Sequence, residues 1–168
     1  MKCLGLVAIV VVGATVSIRA QTRVDLRLSS PGRVRAGAPL KLSFAVSNLG
    51  KDGIYFKIPW KWAPNAMRVV ATATDGRVYA TETRLYDIAQ ESVCTHFKAV
   101  GPREDYRFEQ LFTREELAPQ LRLPPGVYQL RWIYDVAHSE DEAACASSGW
   151  PIWKGKAESG PVRLEVTP

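Results

Sequence analysis

The sequence predicts an all-β, antiparallel β-sandwich of about seven to nine strands with one short helical turn. Three observations carry that prediction. Residues Leu123 to Val136 open on Leu-Pro-Pro-Gly and then alternate, with Tyr128, Leu130, Trp132, Tyr134 and Val136 on one side. Gln129, Arg131 and Asp135 fall on the other side. A period of two, rich in aromatic and branched residues, is the mark of a strand with one buried face, here the central one. Similar runs recur along the chain between Gly and Pro turns, without a long helical repeat. Thr74-Asp75-Gly76 separates two β-branched runs, and Asp-Gly in that position is a hairpin signal because both residues tolerate a positive φ.

The remaining elements follow in order. Thr22–Leu28 alternates Val24, Leu26 and Leu28 against Arg23, Asp25 and Arg27. Arg33–Pro39 is a short edge segment, broken by Gly37 and Pro39. Leu40–Asn48 turns Leu40, Leu42, Phe44 and Val46 inward. Ile54–Ile58 is a short strand stopped by Pro59, and Met67–Ala73 and Arg77–Thr81 flank the Asp-Gly turn. Arg84–Ala99 is a long loop with a strand near Val93–Phe97; Tyr106–Phe112 is a strand. Thr113-Arg114-Glu115-Glu116 has the spacing of a capping box and predicts the helical turn. Ala137–Gly160 reads as a long loop, and Pro161–Thr167 as the closing strand, with Val162, Leu164 and Val166 inward.

The chain has 168 residues, 46% hydrophobic and 23% charged, which is enough to bury one core. Residues 1–20 read as a secretory signal peptide, with basic Lys2, an apolar run from Leu4 to Val16 and small Ala20 before the cut. That run is shorter than the roughly 20 apolar residues of a spanning helix. Residues 21–168 are then a single exported domain, periplasmic or extracellular, with no membrane span. The net charge is +5, of which Lys2 and Arg19 supply two units. No run of Lys and Arg marks a nucleic-acid surface, so nucleic acid is not an expected partner.

Three cysteines are present, and Cys3 leaves with the signal. Cys94 and Cys145 are expected to pair as a disulfide, the usual state of two cysteines in an exported chain. Closing that loop would stabilise by on the order of 4 kcal/mol. Both histidines, His96 and His138, lie near these cysteines, so a tetrahedral zinc site is the alternative. The spacing matches no common zinc motif, and neither metal nor cofactor is expected.

The runs Leu40–Asn48, Pro124-Pro125-Gly126-Val127-Tyr128 and Ser159–Val166 resemble, in their order, bacterial exported immunoglobulin-like domains. On that likeness Tyr128 resembles the tyrosine-corner residue near the start of the F strand. Leu130 falls where antibody domains place a cysteine, so the resemblance is not to an antibody-type domain. Phe44–Asn48, Asp75–Tyr79 and Pro125–Tyr128 are also similar in order to the BsuPI-type proteinase-inhibitor domain. That likeness implies an inhibitor with a protruding loop.

Four tryptophans are the candidate binding residues. Trp60 and Trp62 share a side if locally extended, and Trp150 and Trp153 bracket Pro151. Loop aromatics bind sugar rings or protein partners; they also cap core ends. Ser139 between His138 and Glu140 has the residue types of a nucleophilic site, but adjacent residues seldom converge and no nucleophile-elbow glycines surround it. The expectation is a non-enzymatic module that acts through protein or glycan binding. The alternative is a secreted protease inhibitor presenting Lys51–Gly53 or Asp141–Gly149.

Overall fold

A computed structural model describes residues 23–57, 67–81, 97–113, 120–136 and 150–168. The signal segment, Trp60, Trp62, Cys94, His96, His138, Ser139, Cys145, the Asp141–Gly149 loop and all but the first residue of the capping box lie outside them.

The described residues are all β. The strands are β1 (Val24–Ser29), β2 (Arg33–Arg35), β3 (Leu40–Asn48), β4 (Ile54–Lys57), β5 (Met67–Ala73) and β6 (Val78–Ala80). They continue with β7 (Phe97–Val100), β8 (Asp105–Phe112), β9 (Gly126–Val136), β10 (Gly155–Glu158) and β11 (Val162–Thr167). Eleven strands exceed the expected seven to nine; the one with no counterpart in the sequence reading is β10, inside the stretch read as a loop.

One layer holds β1-β3-β8, and β4-β7 form a separate two-stranded sheet. The other layer runs β2-β11-β9-β5-β6, with β10 also on β9. The β9 strand is central, as its pattern predicts. It is antiparallel to β5 along one edge and to β10 and β11 in succession along the other. The β2 edge strand lies parallel to β11.

The buried faces are those the alternation specifies. Tyr128, Leu130, Trp132 and Tyr134 from β9 meet Leu42, Phe44 and Val46 from β3 in one core, with Leu164 and Val166. Trp132 stands edge-on to Phe44 and Phe108 of the facing layer, at 5.0 and 5.8 Å between ring centroids. Its indole N–H has no hydrogen-bond partner among the described residues, and the surrounding rings offer it only weak π contacts. Phe56 stacks on Tyr134 at 4.3 Å.

Two corrections concern the stretch expected to be a loop from Ala137 to Gly160. Its end carries β10, and Tyr55 is bridged in parallel to Ile152. There Tyr55 N–H donates to Pro151 C=O at 2.9 Å, and Trp153 N–H to Tyr55 C=O at 2.8 Å. Only Ala157 in β10 is apolar; the strand is held by backbone pairing, which leaves no hydrophobic period to read.

Asn48 organises the kink where β3 gives way to β4. It is fully buried. Its side-chain amide donates to the carbonyls of Asp52 (2.8 Å), Val100 (3.1 Å) and Gly101 (3.0 Å), and its Oδ1 accepts Gly50 N–H at 2.9 Å. One buried amide thus ties the loop after β3 to the end of β7, where Gly101 C=O also accepts Glu104 N–H at 3.2 Å.

Candidate functional site

Of the four tryptophans, two are described, and the chain uses both to close the fold. Trp153 is only 7% exposed and packs on Tyr134 and Phe56 at 5.6 and 6.0 Å between centroids. It is therefore a core residue rather than a surface aromatic: the parallel bridge to Tyr55 turns it inward. Trp150 is half-buried, and its indole lies against the α-carbon of Gly53, where a Cβ would collide with the ring. Lys51 and Asp52 form the exposed tip between buried Asn48 and buried Gly53.

A concavity lies elsewhere, at the pole of the sandwich formed by the β2–β3 turn and the segment entering β9. It encloses about 760 Å³. Specific ligand pockets occupy roughly 300–1,000 Å³. Its floor is made by Leu40, Phe112 and Val166, which belong to the core, together with half-buried Val34. Tyr79 forms one wall, and Leu121, Leu123, Pro124 and Pro125 form another.

The β2–β3 turn and the segment entering β9 are both pinned by local chemistry. Ala36 N–H donates to Thr167 C=O at 2.7 Å, continuing the β2–β11 pairing past the strand end. Ala38 N–H then closes on Arg35 C=O at 3.0 Å, in a turn whose third residue, Gly37, has φ 78°. That position requires a residue without a Cβ penalty at positive φ. On the opposite wall, the Tyr128 O–H donates to Pro124 C=O at 2.7 Å, four residues upstream. This is the bond that the resemblance of Tyr128 to a tyrosine corner implies. Burial, and then the neighbouring Tyr79, push the Tyr128 phenol above its ordinary pKa, so it remains a donor. Tyr79 meets Tyr128 edge to face at 5.7 Å.

Among the described lining residues two are charged, both positive: Arg35 and Arg122. Their neighbours explain why the charge is not cancelled. Arg33, two residues before Arg35, lies opposite Glu165 and pairs with it at 3.1 Å. Arg35 lies opposite Thr167, which brings a hydroxyl and no carboxylate. Arg122 gives Nε (3.0 Å) and Nη2 (2.6 Å) to the amide oxygen of buried Gln120. A neutral acceptor thus fixes this guanidinium, and the donors it does not engage stay available. An apolar floor beneath two cations suits a ligand that is apolar in its body and anionic at one point.

Sequence reasoning selected neither arginine. Each is one of many scattered basic residues, and only the parallel β2–β11 pairing and the Pro-Pro turn bring them to one pole. Among the described residues, no group of three His, Cys, Asp or Glu could hold a metal ion; His96, His138, Cys94 and Cys145 lie outside that set. No helix among the described residues is long and apolar enough to cross a membrane.

No protein-family model matches the chain, and no curated protein matches it. Several solved structures are similar to it at low identity. The CARDB domain of the PF1109 protein from Pyrococcus furiosus, in complex with di-metal ions, is 14% identical, with a TM-score of 0.40; the match covers 87% of this chain and 94% of that one. A β-glucosidase from Listeria innocua in complex with glucose is 12% identical over 88% of this chain and 16% of its own, with a TM-score of 0.41. The alkylpurine DNA glycosylase AlkC of Pseudomonas fluorescens, bound to DNA containing an abasic site analog, is 10% identical over 89% of this chain and 31% of its own, with a TM-score of 0.39. Likenesses of this size transfer no activity, and the architecture rests on the strand pairing described above.

Proposed function

We propose that the protein is an exported, non-enzymatic β-sandwich module that acts by binding a protein partner in the cleft at the pole of the sandwich. The carrying observation is the cleft itself: about 760 Å³, floored by core side chains and walled by two turns that hydrogen bonds hold in place. A preformed cavity loses little entropy on binding, which is what a recognition site needs. Export follows from the signal-like residues 1–20, and in an oxidising compartment Cys94 and Cys145 pair. Mass after alkylation of the non-reduced protein tests that pairing; two free thiols would overturn it.

The binding reading is tested with a phage-displayed random peptide library and a glycan array, each probed with the exported chain and with Ala38→Trp. Ala38 is exposed and lines the cleft, so an indole there fills the cavity without entering the core. Peptides selected on the natural chain should lose binding to Ala38→Trp while the melting temperature holds. Peptides indifferent to the plug would remove the cleft from the account. Glycans alone, sensitive to the plug, would make the partner a sugar.

The secreted protease inhibitor is the second reading, supported by the Lys51–Asp52 tip. Asn48 holds the tip on one side, and Trp150 covers Gly53 on the other. A braced, exposed Lys suits a trypsin-like enzyme. Inhibition of trypsin that Lys51→Ala abolishes would establish this reading; no inhibition would end it.

A further inference from the structure

Resting on the cleft being a binding site, we infer that it reads the free C-terminal carboxylate of a peptide ending in an apolar residue. The carboxylate meets Arg35 and Arg122, and the terminal side chain lies on the floor made by Leu40, Phe112 and Val166. Charge complementarity carries the assignment: the described lining holds two cations and no anion. The Arg122 guanidinium is already oriented by Gln120 Oε1, at 3.0 Å from Nε and 2.6 Å from Nη2. An oriented guanidinium gives up little freedom when it takes a carboxylate, and charge-assisted bonds of this kind are about twice as strong as neutral ones.

Geometry separates a terminal carboxylate from an internal Asp or Glu. Neighbouring side chains of an extended peptide point to opposite faces. An internal acid and the apolar residue beside it therefore point apart, and an acid two residues away shares the face only roughly 7 Å further along the peptide. A C-terminal residue carries its carboxylate and its side chain on a single α-carbon, so both reach the same pocket. The cations at the rim and the apolar floor beneath them match that arrangement.

The experiment uses a hexapeptide ending in Leu, prepared as the free acid and as the amide, and an amidated hexapeptide with Glu before the terminal Leu. Affinity for the exported chain is measured by fluorescence polarisation. The free acid should bind at least tenfold more tightly than either amide. Arg35→Gln and Arg122→Gln should each remove most of that ratio, while Arg33→Gln, whose side chain is paired with Glu165, should leave it. Raising the salt should weaken the acid and spare the amide. Equal binding of acid and amide, with both still sensitive to Ala38→Trp, would overturn the carboxylate assignment and leave the binding module standing. Preference for the internal Glu peptide would overturn it in favour of a side-chain acid. Binding of none of the three, alongside library peptides that Ala38→Trp abolishes, would also refute it. If no peptide responds to Ala38→Trp, both readings fall together.

Discussion

Ser159 and Trp132 exchange two hydrogen bonds across a break in the sheet. Ser159 N–H donates to Trp132 C=O at 2.9 Å, and Trp132 N–H donates to the Ser159 hydroxyl, also at 2.9 Å. Between the β10 and β11 pairings, three residues, Ser159 to Pro161, face only Arg131 and Trp132 of β9. The extra residue makes a bulge, and a side-chain oxygen replaces the carbonyl that a regular ladder would present. The same hydroxyl donates to Gly160 C=O at 3.0 Å. Ser159 is 4% exposed, so water cannot easily substitute.

Ser159→Ala should therefore destabilise the protein by roughly 1–3 kcal/mol, the cost of leaving a buried N–H unpaired. Urea unfolding checks this. A midpoint equal to that of the natural chain would mean that the bulge is held by its backbone bonds alone.

Asn48→Ala should cost more, on the order of 3 kcal/mol, because the Gly50 N–H and the Asp52 and Val100 carbonyls lose a hydrogen bond together, while Gly101 C=O keeps the Glu104 N–H. The loss should show as faster hydrogen exchange at Gly50 and around Gly101, whose backbone groups Asn48 engages. A global loss without that local signature would assign the effect to packing.

Gly53→Ala tests the Trp150 contact. The added methyl falls on the indole ring, so the ring must leave. The expected result is a red-shifted, more quenchable tryptophan emission with the Phe56–Trp153 core intact. Unchanged emission would show that the loop yields instead.

The acid limb of stability should depend on Asp105. The Ser47 hydroxyl (2.6 Å) and Arg27 (2.6 Å), with Arg107 at 3.5 Å, hold its carboxyl below the ordinary value of 3.8. A depressed folded pKa contributes stability above the unfolded value, lost as pH falls through the folded one. Melting temperature should drop from pH 5 to pH 3, and Asp105→Asn should flatten that drop. An identical slope in the variant would place the acid sensitivity on other carboxylates.

The strongly patterned strands were legible because one face of each is buried and the other wet. Leu42, Phe44 and Val46 in β3, and Leu130 and Trp132 in β9, announce their direction by alternation alone. Tyr128 was legible too, since its bond to Pro124 is local in sequence. By contrast, β10 was missed because its backbone pairing with Ile133–Val136 requires no apolar side chains of its own. Asn48 reads only as the polar last residue of the Leu40–Asn48 strand, yet is fully buried, since its role depends on carbonyls about fifty residues away. Arg35 and Arg122 were invisible for a similar reason. An arginine's significance lies in whether an acid faces it, and that is decided by register: Glu165 opposite Arg33, Thr167 opposite Arg35.

That the cleft at the pole of the sandwich is the binding surface is tested most directly by amide chemical-shift mapping. A peptide selected on the natural chain is titrated into the isotope-labelled protein. The largest shifts should fall at Ala36 to Ala38, Tyr79 and Leu121 to Leu123, which line the cavity. Largest shifts at Leu49 to Gly53, or along the outer face of β9 from Gln129 to Ile133, would contradict it.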